Sequence, residues 1–370
     1  PNLVIGSALA ELVSRKLIYE VTGAANETYR FAHSKVHQVA YGKLGKSAPE
    51  IHARAAKALL SVYPDVTEWV AYELVPQFTS AGDHEQAAKY ARKAAAFATN
   101  SHAIEEALRF YNLALESLSK AKPSHGRDRA EAETLMELAG VQYSSNEWDA
   151  ALASYRKSFA LGEKAADSEV MVKASIGLGE VLRFRGDYED ARTHFKRVLD
   201  LAGVSGDEAS MATAQKGLGY IEWRLGRFDE AEGYYSKAYE IVKRLKDIGQ
   251  LGIVTLERGN VCTARGDLRG AEKGYRESIT FTQASGDMFT LARAYNNLGD
   301  IFLQRRDWAA AISNFEMCSG IARSIGNHDM LGWSLFNLGE ALAKKGEIDK
   351  AEAACEEALE ILSKLNDKTG

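Results

Sequence analysis

The stretch ARAYNNLGDIFLQRRDWAAAISNFEMCSGIARSIGN, residues 292–327, decides the fold. Its apolar positions Ala294, Leu298, Ile301 and Phe302 recur at the spacing of one helical face. Arg306-Asp307 interrupts that run, a second one follows, and Gly326-Asn327 ends it, so the stretch reads as two helices joined by a tight turn. The same order returns every 40 residues: Leu178-Gly179, Leu218-Gly219 and Leu338-Gly339 stand in phase with Leu298-Gly299, with Arg258-Gly259 in the fourth place and Leu138-Ala139 before them. Turns follow at Gly186-Asp187, Gly226-Arg227, Gly266-Asp267 and Gly346-Glu347. After each turn comes a small residue (Ala191, Ala231, Ala271, Ala311, Ala351), and four residues later Phe195, Tyr235, Tyr275, Phe315 and Cys355. Gly206-Asp207, Lys246-Asp247 and Gly286-Asp287 separate successive units.

The physical reading is a stack of helical hairpins. A glycine allows two helices to approach closely, and the in-phase alanines are expected to receive the aromatic knob of the neighbouring helix. Glycine ends a helix with positive φ, and the aspartate after it caps the next. Six units fit between about residue 130 and the end. This pattern resembles the tetratricopeptide family, with a unit of 40 residues rather than about 34 and without the closing proline. The longer form is similar to the repeats of kinesin light chains and of bacterial regulators that carry them. The resemblance implies an all-α, tetratricopeptide-like helical-hairpin superhelix (a solenoid), with six 40-residue repeats over 126–370. YELVPQFTSAGDHEQAAKYARKAA and ALRFYNLALESLSKA mark irregular units of the same kind over 66–125.

Composition agrees. All 5 prolines lie at or before Pro123, leaving the rest of the chain free of helix breakers. A formal charge of -5 lacks the basic excess that attracts phosphate backbones, so nucleic acid is not the expected partner. Cys262, Cys318 and Cys355 are too few and too spread for a disulfide framework or metal site. They read as small buried hydrophobes in a reducing compartment. No run approaches the ~20 apolar residues of a membrane span, and no signal peptide opens the chain, so a cytoplasmic location is expected. Because it opens on Pro1 within what reads as a helix, the chain is expected to be a piece of a longer one.

Residues 1–65 differ. Leu9, Leu12, Val13 and Leu17 mark a short helix, and IYEV and TYRFA read as strands joined by the turn GAANE. Helices follow from about Ser34 to Leu44 and from about Pro49 to Tyr63. This order suggests a small winged-helix-like α+β module. YRFAHSKVHQVAYGKL followed by IHARAAKALL resembles the winged-helix segment between the ATPase core and the tetratricopeptide array in signal-transduction ATPases with numerous domains, the class of the maltose-regulon activator. Phe31, His33, Tyr41 and His52 occupy the family's places. The resemblance implies the sensor half of a switch, with a nucleotide-binding engine upstream.

Several motifs imitate chemistry without its context. Residues 40–47, AYGKLGKS, have the form of a degenerate phosphate loop, yet they follow an amphipathic helix rather than a buried strand. His33 and His37 are spaced like zinc ligands but have Ser34 where a metalloprotease glutamate would stand. No nucleophile motif accompanies any histidine, so neither catalysis nor a cofactor is expected. The first module carries eight Lys or Arg against five acids, which keeps DNA binding open as an alternative.

The expected function is a non-catalytic regulatory surface that binds a peptide or protein in the concave groove lined by the first helices. A small-ligand sensor is the other alternative. Candidate contacts in the second and third units are Arg183, Tyr220, Trp223 and Arg224, and in the fourth Asn260. The fifth supplies Arg293, Asn296, Asn297 and Asp300, and the sixth Trp333 and Asn337, with Phe336 in the same stripe. Asparagine both donates to and accepts from a peptide backbone, and tryptophan or tyrosine supplies apolar anchors. Asn260, Asn297 and Asn337 therefore read as a peptide ladder; in kinesin-light-chain-like repeats, asparagines at the places of Asn297 and Asn337 do this work. The competing reading is that these amides link neighbouring helices. Leu256 and Trp333 stand where chaperone-binding relatives carry lysines, so that carboxylate clamp is not implied.

Overall fold

The computed structural model describes residues 2–21 and 29–366, and the chain forms two compact units, 1–147 and 148–370. In the first unit, helix α1 (Asn2–Ser14) precedes an antiparallel pair, β1 (Ile18–Glu20) and β2 (Tyr29–Phe31), in the register Ile18 opposite Phe31. The GAANE turn lies outside the described residues. Helices α2 (Ser34–Gly42) and α3 (Ala48–Val62) flank a 3₁₀ turn at Gly45–Ser47. The phosphate-loop look-alike falls on this helix–turn–helix junction, with Gly45 at φ 49°, and not after a strand. Among the described residues no cluster of three or more His, Cys, Asp or Glu could hold a metal.

Helices α4 (Glu68–Ala81), α5 (His84–Asn100), α6 (Ile104–Lys120) and α7 (His125–Ser144) complete the unit around an alanine-rich core that includes Leu74, Ala91, Ala94 and Ala107. His52 ties α3 to its neighbours: its Nε2 lies 2.8 Å from the Tyr41 hydroxyl and its Nδ1 2.7 Å from Gln77 Oε1. A carboxamide oxygen only accepts, so with this amide orientation Nδ1 carries the proton and Nε2 accepts from tyrosine.

The second unit is α8 (Trp148–Ala165) followed by five hairpins, α9/α10 (Ser168–Arg185, Tyr188–Ser205), α11/α12 (Glu208–Arg224, Phe228–Arg244), α13/α14 (Ile248–Ala264, Leu268–Ser285), α15/α16 (Met288–Gln304, Trp308–Ser324) and α17/α18 (His328–Lys345, Ile348–Asn366). The punctuation behaves as its chemistry requires. Gly186, Gly226, Gly266 and Gly346 end first helices with positive φ, with Arg306 in the same left-handed conformation where that series lacks glycine, and Lys246 does so after a second helix, in the series of Gly206 and Gly286. Asp207, Asp247, Asp267, Asp287 and Asp307 each accept a hydrogen bond from the backbone N–H three residues on.

Two expectations are corrected. The aromatic knob meets the glycine of its own hairpin: a Cβ on Gly179, Gly219, Gly259 or Gly299 would lie within 3.0 Å of the ring sixteen residues later. The alanine one turn before the ring is buried on the ring's own helix, where it seals the junction. Of the three cysteines only Cys318 is buried; Cys262 is half-buried and Cys355 exposed, because α18 has no further hairpin of the described chain packed over it.

Candidate functional site on the first-helix face

Successive first helices touch one another, α9 to α11, α11 to α13, α13 to α15 and α15 to α17. Leu298, Ile301 and Ala294 turn inward from α15, which leaves Arg293, Asn296, Asn297 and Asp300 on its other side. The face therefore consists of polar stripes brought side by side at a 40-residue interval.

Arg183 pairs with Glu180 at 2.5 Å and places its guanidinium 4.3 Å over the Tyr220 ring. Tyr220 in turn lies 5.8 Å from the Trp223 ring. Trp223 is half-buried against the core of α11–α13, and its Nε1 has no partner among the described residues, whereas Arg224 is exposed. Lys216 donates to Gln250; burial pushes its pKa down, while the carboxylates of Glu180, Asp247 and Glu257 oppose that shift.

Further along, Glu257 is a hub. Arg293 reaches its Oε1 at 3.0 Å and Asn260 Nδ2 reaches its Oε2 at 3.0 Å. Asn260 Oδ1 accepts from the Tyr275 hydroxyl and from Asn297 Nδ2, both at 2.9 Å. Asn337 Nδ2 donates to Asn296 Oδ1 at 3.2 Å. Burial, with Glu340 facing it, pushes the Asp300 carboxyl up to about 6. The candidate residues thus gather into an Arg183–Tyr220–Trp223 cluster, an Asn260–Arg293–Asn297 cluster and an Asn296–Asn337 pair.

Asn297 and Asn337 each donate one N–H to an asparagine of the preceding first helix, whereas Asn260 donates to Glu257 of its own helix and accepts from Asn297, and Asn296 accepts from Asn337. A carboxamide has a second N–H and a carbonyl, and fixing it in advance lowers the entropy cost of any further contact. By contrast, Trp333 and Phe336 are 55% and 49% exposed on α17, with ring centroids 6.3 Å apart in an edge-to-face arrangement. Sequence reasoning missed Glu257. The 40-residue register held the signal, since 257 and not 260 stands in phase with 297 and 337.

The tetratricopeptide repeat profile matches residues 130–203, 170–244, 210–284 and 290–364, more than half of the chain. The chain belongs to the tetratricopeptide repeat family. Its starting points advance by multiples of 40 residues, as the glycine notches do. No curated protein sequence matches it. Among solved structures, this tetratricopeptide chain is similar to apo RapI, with 14% identity and a TM-score of 0.61 over 76% of this chain and 99% of that one. It is similar to a signal transduction ATPase with numerous domains that has a tetratricopeptide repeat sensor, from Pyrococcus horikoshii, with 17% identity and a TM-score of 0.60 over 96% of this chain. The chain spans 52% of that protein's length. A Rap conjugation gene regulator of the plasmid pLS20, in complex with the Phr* peptide, matches at 16% identity and a TM-score of 0.56 over 90% and 94% of the two chains. These likenesses show the fold. No helix among the described residues is long and apolar enough to cross a membrane.

Proposed function

We propose that the first-helix face of residues 148–370 is a groove that holds an extended peptide or protein segment, and that the chain is the sensor or regulatory arm of a larger signalling protein. The observation that carries this reading is the pair of half-exposed rings, Trp333 and Phe336, beside amides already fixed by bonds between repeats. Exposed rings are available as apolar anchors, and fixed amides are available to the main chain between them. The contact set is Arg183, Tyr220, Trp223, Arg224, Asn260, Arg293, Asn296, Asn297, Asp300, Trp333, Phe336 and Asn337. The similar fold of a Rap regulator in complex with a peptide supports a peptide as the ligand class.

The similar ATPase supports the larger context, in which residues 1–65 act as a winged-helix-like connector, 66–125 as irregular repeats and 126–370 as the receptor array. Helix α1, the strand pair and helices α2 and α3 follow one another in the order read from the sequence. The proposed role requires no chemistry from this chain.

Selection of peptides from a random library on the full chain tests the proposal. Selected peptides should bind one to one, and Trp333→Ser/Phe336→Ser should weaken them at least about tenfold, roughly 1.4 kcal/mol. Absence of enrichment, or equal affinity for the double variant, would contradict it.

A further inference from the structure

The first unit contains a cavity of ≈ 500 Å³ that has no part in the groove proposed above. Its size is that of small-molecule sites. One wall is a single face of α5, from Ala88 through Lys89, Arg92 and Lys93 to Ala96, a stripe about 12 Å long at the helical rise per residue. Leu118 of α6 and Ala130 of α7 provide apolar surface opposite, and Ser124 and Gly126 bring the first turn of α7 to the cavity.

The charges lining it are unevenly satisfied. Arg92 is held by Glu133 at 3.0 Å and Glu137 at 2.6 Å, and Arg127 by Asp128. Lys89 and Lys93, one turn apart, lie over the Tyr90 and Phe97 rings, 5.5 and 6.0 Å from the centroids, but make no ion pair among the described residues. Glu85 is the acid left on that side. Two ammonium groups without counter-ions therefore stand on one wall of a mainly apolar trough, and the positive end of α7 adds to the same potential.

We infer that this cavity binds a small amphipathic carboxylate. Its charged head sits between the Lys89 and Lys93 ammonium groups, and its aliphatic chain lies along Ala88, Ala96, Leu118 and Ala130. A bare inorganic anion would leave the apolar walls wet, and a neutral chain would leave both ammonium groups unpaired.

Calorimetry on the full chain with octanoate, acetate, 1-octanol and inorganic phosphate as probes tests this. Octanoate should bind one to one, at least about tenfold more tightly than any of the other three. Lys89→Ala/Lys93→Ala should weaken octanoate at least about tenfold. Ala96→Trp, at an exposed position of the wall, should abolish binding while far-ultraviolet circular dichroism remains that of the parent. Failure of octanoate to bind, equal affinity in the variants, or equal binding of octanol, acetate or phosphate would overturn the inference. Loss of helical signal in Ala96→Trp would transfer that arm to Ala96→Phe, read by the same criterion.

Discussion

Phe195 occupies space that two glycines vacate: a Cβ on Gly179 would lie 2.8 Å from its ring and one on Gly217 2.5 Å. Gly299 stands in the same relation to the fully buried Phe315, at 2.6 Å. Gly299→Ala gains about 1 kcal/mol of helix propensity but forces a ring that has nowhere to move, so a net loss of about 1–2 kcal/mol is expected. Gly233, in α12, has nothing within 4 Å of where a Cβ would stand, and Gly233→Ala should stabilise by about 0.5–1 kcal/mol. Denaturant midpoints of the two variants check the difference in sign. The glycine series was legible because its 40-residue phase is strict. Its partner was not, because sequence phase places alanine and glycine equally well beside a ring, and only the crossing of the two helices selects one. Asp300 is the second residue with a measurable signature. Its pKa of about 6 lies above that of an unfolded aspartate, so the folded state binds the extra proton. Its contribution is present below about pH 4 and is lost as pH rises through 6, on the order of 2 kcal/mol. Asp300→Asn should be more stable than the parent at pH 7.5, and the gap should close toward pH 4, as followed by thermal melting.

At the junctions between helices, the structure replaces apolar packing with ion pairs at places the repeat pattern marks as core. Glu222 stands in phase with Leu182, Phe302 and Leu342, yet its side chain is only 6% exposed and is clasped by Arg192 of α10 at 2.8 Å and Arg227 at 3.3 Å. Removing one member of such a cluster strands the other charge, whereas replacing both with apolar groups does not. Glu222→Gln should cost about 2 kcal/mol, and Arg192→Leu/Glu222→Leu less than either Arg192→Leu or Glu222→Leu alone, measured by urea denaturation. Arg265 and Arg305 show a related device, each donating to a backbone carbonyl 37 residues earlier, Phe228 and Leu268, and thus fastening one hairpin to the start of the preceding second helix. Helix boundaries were readable from caps and glycines. These clasps were not, because they join residues 30–37 apart and so run across the 40-residue register rather than along it. The asparagine stripes were half-legible for the same reason: their place on the first helices follows from periodicity, whereas the bonds Asn297 to Asn260 and Asn337 to Asn296 depend on the stagger between neighbouring helices.

Over the whole molecule, a repeated hairpin that cannot bury both its faces alone is stabilised by its neighbours, and the first-helix stripes then accumulate into one extended surface. That architecture was readable because every level of the sequence repeats together: notch, turn, cap and ring. The N-terminal module has no such redundancy, so its helices and strands were readable singly while its connection to the irregular helices after residue 65 was not; within the first unit that connection includes His52, between Tyr41 of α2 and Gln77 of α4. In the proposed function, recognition occurs on the first helices of residues 148–370. Photo-cross-linking tests it most directly: benzoylphenylalanine is placed at Phe336 on α17 or at Val204, which is 92% exposed on the second helix α10, and each chain is irradiated with a peptide selected on the parent. Peptide adducts are expected at 336 and none at 204. Adducts at 204 without adducts at 336 would contradict it.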